Sequence, residues 1–137
     1  MSLKTLGTQE HNDIRWSVEF HPEFKPEFDH FSRAVRIELA ARILCLQQLG
    51  SQLSRPAVDT LKGSRFANMK ELRCDAEGGV WRVAFAFDPR RKAILLVGGD
   101  KTGIAQTRFY RSLIVVADRR FEQHLDSISS GNRRGEI

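Results

Sequence analysis

Two arginines, a lysine and a tyrosine carry the chemistry this sequence could perform. Arg73 lies in the strand-like segment 68–74. Arg82 lies in the alternating run 80–87, where Trp81, Val83, Phe85 and Phe87 form a core face and Arg82, Ala84 and Ala86 face outward. Leu72 and Cys74 must share the face of Trp81, Val83 and Phe85 if the two segments are to bury apolar surface together. Antiparallel pairing of Asp75 with Val80, closing a four-residue loop over 76–79, satisfies this and sets Arg73 directly opposite Arg82. Like charges opposed across paired strands are unfavourable, so this pair requires an anion. Two readings stand. Either both side chains reach solvent and find Glu71 or carboxylates of the helices, or they form a phosphate site, since planar forked donors match phosphate oxygens.

Lys101 follows a buried strand in the run GGDKTG. Glycines, Lys-Thr and then a helix invite a nucleotide-loop reading, but the phosphate-binding pattern requires Gly immediately before Lys, and Asp100 stands there. What remains is a loop that can hold Lys101 beside the face of Arg73 and Arg82. Tyr110, the sole tyrosine, sits one turn into the last helix between Arg108 and Arg111. It is either a helix-packing aromatic like Phe109 or a group for base stacking or proton transfer. His11, His21, His30 and His124 make no metal-spaced pair, and no nucleophile–base arrangement can be read. An enzyme built on these residues would rest on cationic stabilisation of a phosphorane-like state, with its general base unassigned.

The elements that must position these groups follow from periodicity. Residues 14–20 alternate as a half-buried strand. Apolar residues at 24, 28, 31, 35, 39, 43, 46 and 49 form a helical stripe. Ser32 interrupts it as an N-cap, which predicts a helical pair over 23–31 and 33–49 ending at Gly50. The stretch 51–65 reads as loop. Three strands follow at 68–74, 80–87 and 93–97, the last apolar at every position and so expected to be buried on both faces. The turn DPRR between the last two has Pro at its second position. A helix covers 106–125. The sum is an α+β domain over 14–126 with an antiparallel three-strand meander, between a flexible N-terminus at 1–13 and a flexible tail at 127–137.

Charge is concentrated on the sheet-like part. The chain of 137 residues carries +5, and the stretch 61–103 alone has nine Lys/Arg against five Asp/Glu. A cationic sheet surface is the footprint of a polyanion. Cys45 and Cys74 fall among apolar neighbours and read as reduced core residues of a cytoplasmic protein. No apolar run approaches the ~20 residues of a membrane span, and no cofactor motif is present.

The segments DTLKGSRFANMKELR, VWRVAFAFDPRRKAILLVGGDKTG and FYRSLIVVADRRFEQHL, with the opening strand RWSVEF, resemble the phage-derived type of HigB-like toxin. These belong to the RelE/ParE superfamily of type II toxin–antitoxin systems, and the resemblance covers about residues 14–125. It implies a RelE-like microbial-RNase-type fold and a metal-independent endoribonuclease that cleaves messenger RNA on the ribosome, with the 2′-hydroxyl as nucleophile. It implies a HigA-like helix-turn-helix antitoxin as partner and leaves the oligomeric state open, a small oligomer included. Carried onto this chain, it gives Arg73, Arg82, Lys101 and Tyr110 catalytic roles. Lys62, Arg65, Lys70, Arg90, Arg91 and Arg108 become the RNA-binding cations. Several relatives use a late histidine or acid for proton transfer, and here the only late histidine is His124. ParE-like relatives of the same fold inhibit DNA gyrase without cutting RNA, which is the alternative activity.

Overall fold

The computed structural model describes residues 15–135. The expected flexible N-terminus and the start of the first strand at Ile14 lie outside the described residues. Five strands make one sheet in the order β1-β5-β4-β3-β2. They are β1 (Ser17–Phe20), β2 (Val58–Thr60), β3 (Lys70–Ala76), β4 (Gly79–Phe87) and β5 (Lys92–Asp100). Strands β3, β4 and β5 form the antiparallel meander. Strand β1 lies parallel to β5. The helices are α1 (Phe24–Asp29), α2 (Arg33–Leu49) and α3 (Gln106–Gly135).

Local chemistry accounts for the boundaries. The Ser32 hydroxyl accepts a hydrogen bond from Val35 N–H at 3.2 Å and so caps α2. At the other end Gly50 has φ +53°, and an added Cβ would lie 2.0 Å from the Trp16 ring. Glycine is needed there both for the left-handed backbone and for the indole seated on it. Strand β3 turns into β4 through Glu77 (φ 52°) and Gly78 (φ 75°). Two such residues define the tightest hairpin turn, narrower than the four-residue loop expected.

Each face of the sheet is covered. Phe24, Val35, Leu39 and Leu46 of α1 and α2 bury Leu72, Cys74, Val83, Phe85 and Leu95. On the opposite face Phe109, Leu113, Ala117 and Phe121 of α3 bury Ala84, Ala86, Ile94 and Leu96. Burial of each large side chain contributes about 1.5–3 kcal/mol. Ala84 and Ala86, expected to face outward, are fully buried. Their small side chains let α3 lie close, as does Gly99, where a Cβ would come 3.3 Å from Phe109. Of the glycines of GGDKTG, Gly99 thus serves the packing of α3, while Gly98 lies against Val83 and Phe24 on the opposite face. Ala93 to Leu96 are buried on both faces, as an unbroken apolar strand requires.

Three further expectations are corrected. The loop over 51–65 contains β2, whose three residues are too few to show alternation. Cys45 is exposed on α2, while Cys74 is in the core. The polar stretch from 127, expected as a flexible tail, continues α3 to Gly135. A helix already nucleated on the sheet propagates at little cost per residue, so polarity alone does not end it.

Candidate phosphate-binding site

The register of β3 and β4 places Arg73 opposite Arg82 and Glu71 opposite Ala84, all on the face of α3. Ala84 contributes no bulk there, and Tyr110 of α3 occupies the space. Its hydroxyl donates to Glu71 Oε1 at 2.7 Å. Arg82 Nε donates to the same hydroxyl at 3.3 Å and stands 3.7 Å from Glu71 Oε1. A second Arg82 nitrogen, Nη1, is fixed by the Trp81 carbonyl at 2.9 Å. Arg73 Nε lies 3.6 Å from Glu71 Oε2 and is buried without a hydrogen-bond partner. Lys101, brought back to the strand by its N–H on the Val80 carbonyl at 2.9 Å, sets its ammonium 5.6 Å from the Tyr110 ring centroid. Lys101, Arg73, Arg82 and Tyr110, which the sequence assigned to catalysis, therefore converge in one cluster.

Glu71 is the group that sequence reasoning did not place at the centre. It is only 5% exposed and answers the demand of two opposed arginines for an anion. One carboxylate faces three cations, so the cluster keeps an excess of two positive charges. Burial, then the neighbouring Arg82, lowers the Lys101 pKa below the ordinary lysine value, with Arg73 adding to it and Glu71 opposing. Burial and the hydrogen bond to Glu71 raise the Tyr110 pKa, against the opposing effect of Arg82. Lys101 is thus a better proton donor than an ordinary lysine.

Beyond the short β2, the edge of β3 opens into a cavity of about 430 Å³ lined by Arg42, Arg73 and Arg82 together with Pro56, Ala57 and Asp75. Arg42, absent from the sequence-based set, reaches this edge from α2 and donates from Nε to the Arg73 carbonyl at 3.3 Å. Its signal in the sequence is that of an ordinary polar helix position. Asp100, which argued against a nucleotide loop, accepts from Val80 N–H at 3.0 Å and Thr102 N–H at 2.9 Å. It pairs with Trp81 in register and so points away from Arg82.

The other expected RNA-binding cations do not join this cluster. Lys70 shares strand parity with Leu72 and Cys74, which turns it to the opposite face. Arg65 is paired with Glu122 and lies over Phe66. Lys62 is exposed in the loop after β2. Arg108 lines a separate groove between α3 and Gly98–Gly99 of β5. Arg90 and Arg91 occupy the turn between β4 and β5, past Phe87, which is itself five residues and roughly 17 Å along the strand from Arg82. His124 lies near that end too, with Nε2 2.8 Å from Asp88 Oδ2. Among the described residues no cluster of His, Cys, Asp and Glu could hold a metal ion, and no helix is long and apolar enough to cross a membrane.

A basic cluster on a meander, roofed by a C-terminal helix and backed by a helical pair, is the arrangement of the RelE toxin fold. A mutant of the Escherichia coli toxin RelE in the free state superposes with a TM-score of 0.53, at 12% identity, over 74% of this chain and 96% of that one. The archaeal RelE of Pyrococcus horikoshii OT3, solved with RelB, gives 0.47 at 18% identity over 67% of this chain and all of that one. The chain belongs to the family of phage-derived Gp49-like proteins (DUF891), whose profile matches residues 26–122, and is a HigB-like toxin. HigB3, a candidate toxin of Mycobacterium tuberculosis (strain ATCC 25618 / H37Rv), is 42% identical over 110 residues, which are 80% of this chain and 94% of that protein. HigB2 of the same strain, also a candidate toxin, is 46% identical over 86 residues, 62% of this chain and 42% of its own length.

Proposed function

We propose that this protein is the toxin of a type II toxin–antitoxin system and cleaves messenger RNA on the ribosome. The observation that carries the reading is the Arg73–Arg82 pair, with its excess positive charge, beside a hydroxyl–carboxylate pair at hydrogen-bonding distance. A phosphodiester seated against Arg73 and Arg82 would have its developing charge stabilised by forked donors. The 2′-hydroxyl oxygen attacks phosphorus and the P–O5′ bond breaks, leaving a 2′,3′-cyclic phosphate. The 2′-hydroxyl proton passes to the Tyr110 oxygen as the phenolic proton moves 2.7 Å to Glu71. Lys101 supplies the proton that the departing 5′-oxygen takes up. The need for a 2′-hydroxyl selects RNA over DNA. A HigA-like helix-turn-helix antitoxin is the cognate partner on this reading, supported by the 42% identity to HigB3.

The test is primer extension on a reporter transcript after induction, with chemical analysis of the 3′ ends. Discrete new 5′ ends with cyclic phosphates are expected from the wild type. Arg73→Ala, whose side chain is 31% exposed and whose loss the fold should tolerate, should reduce cleavage at least 100-fold, within the ~10²–10³ range for losing one oxyanion donor. Arg82→Ala should abolish growth arrest. Intact transcripts with DNA-damage signalling would refute the nuclease reading in favour of gyrase inhibition.

A further inference from the structure

Arg90 and Arg91, two of the four expected RNA-binding arginines that the catalytic cluster leaves out, belong to a second cationic site at the other end of the sheet. Arg15, Trp16, Ser17, Arg90, Arg91 and Lys92 line a cavity of about 280 Å³ there. Four cations line this cavity around one half-buried indole, and Glu19 pairs with one of them, Lys92, at 2.9 Å. The Arg91 guanidinium lies over the Trp16 ring, 4.4 Å from its centroid.

The backbone gives a second, independent observation. Arg91 has φ +65°, in the left-handed region. It closes a turn in which its N–H donates to the Asp88 carbonyl at 2.9 Å and Asp88 N–H donates to the Lys92 carbonyl at 2.9 Å. This is the hairpin position where glycine is the economical residue, and a side chain there is disfavoured. Strain held at one residue points to a use for its side chain. The turn is also rigid. Asp88 Oδ1 accepts from the N–H groups of Arg90 and Lys92, both at 2.9 Å, and Oδ2 faces His124 at 2.8 Å.

The geometry points to a second RNA-binding site, in which a single strand lays a phosphate among Arg15, Arg91 and Lys92 and stacks a base on the guanidinium–indole platform. Bases stack on arginine planes as well as on aromatic rings. The cavity falls just under the ~300–1,000 Å³ of enclosed small-molecule pockets, which suits one link of a polymer. Lying roughly 20 Å from Arg82 along the strands, it would hold RNA outside the reacting segment. The inference extends the RNA-acting reading but is tested by binding alone, so the two can fail separately.

The experiment titrates the full chain with a fluorescent single-stranded oligoribonucleotide made uncleavable by 2′-O-methyl riboses, at a series of salt concentrations. The variants are Arg91→Gly and the triple Arg15→Gln/Arg91→Gly/Lys92→Gln, with Arg91→Gln as a second single change that keeps a side chain. Arg91→Gly should melt at or above the wild-type temperature and bind RNA several-fold more weakly. The triple variant should lose about 0.7 units from the salt slope, the value for one phosphate contact on a single strand. Between 50 and 200 mM salt the wild type should then lose about 3-fold more affinity than the triple variant. Unchanged affinity and slope in all three variants would overturn the site even if Arg73→Ala still abolishes cleavage. Unchanged RNA binding with lost affinity for poly-glutamate would overturn it in favour of an acidic protein partner.

Discussion

Replacing Tyr110 with Phe removes one oxygen and tests the centre of the proposed site. In the wild type that oxygen donates to Glu71 at 2.7 Å and accepts from Arg82 at 3.3 Å. A hydrogen bond to a charged group is worth about 1.5–3 kcal/mol when its loss leaves the charge unsatisfied. Arg82 Nε already lies 3.7 Å from Glu71 and can close part of the gap, so about 2 kcal/mol is the expected loss. For a domain of this size that is a fall in Tm of about 6–10 °C. The second readout is specific, because Tyr110 is the only tyrosine and its phenolate can be followed by near-ultraviolet absorbance. Burial and the Glu71 hydrogen bond hold its pKa above the ordinary 10.0. A raised pKa contributes stability that is fully present below pH 10.0 and lost as pH rises through the folded-state value. The wild type should therefore destabilise in that alkaline window, and Tyr110→Phe should lose that part of the slope. As a proton relay, Tyr110→Phe should lower kcat by ~10²–10⁴ with little change in KM. A phenolate titrating at or below 10.0 with an unchanged Tm would refute the geometry, and unchanged kcat would refute the relay.

Two other perturbations test the supports of the second site. Asp88→Asn keeps one acceptor for the turn amides and loses the carboxylate facing His124, at a cost of about 1–3 kcal/mol. Burial opposes ionisation of Asp88, but the hydrogen bonds from His124, Lys92 and Arg90 outweigh it and hold the pKa low. Its contribution is present above the ordinary 3.8 and lost as pH falls through the folded value, so urea midpoints of Asp88→Asn should show a flatter acid limb than the wild type. Gly50→Ala forces a Cβ to 2.0 Å from the Trp16 ring at φ +53°. Strain and overpacking together should cost about 2–4 kcal/mol and shift the Trp16 fluorescence, whereas an unperturbed melt would show that the ring does not sit on Gly50.

The hairpin that creates the site was legible because its information is local. Strand parity and the need to pair Leu72 and Cys74 with Trp81 and Val83 admit one register, and that register opposes Arg73 to Arg82. The other side of the site was not legible in the same way. Periodicity marks Ala84 and Ala86 as the non-aromatic face and cannot say whether that face meets water or a helix. Here α3 lies on it, so Arg82 is 6% exposed instead of reaching solvent. Glu71 was legible as a possible partner of the two arginines, but its burial was hidden for the same reason. Its type is ordinary on an exposed strand face, and its role appears only once Tyr110 arrives from 39 residues away.

This placement also explains why a basic protein keeps a carboxylate in the middle of the proposed phosphate site. Arg73, Arg82 and Lys101 without Glu71 would be three like charges under a helix, and burying unpaired charges costs several kcal/mol each. Glu71 offsets enough of that repulsion to let Arg82 be held rigidly, yet two positive charges remain unanswered and Arg73 Nε stays without a hydrogen bond. The N-terminal end of α3, one turn before Tyr110, adds its partial positive charge to the same region. The fold therefore leaves a deficit of negative charge beside the open edge of β3, where Arg73 and Arg82 line the cavity. On the proposed function an incoming phosphodiester would supply that charge, so that binding and charge compensation would be the same event. The cost of assembling the cations is met in folding rather than in the reaction step, which is the condition for preorganised electrostatic catalysis.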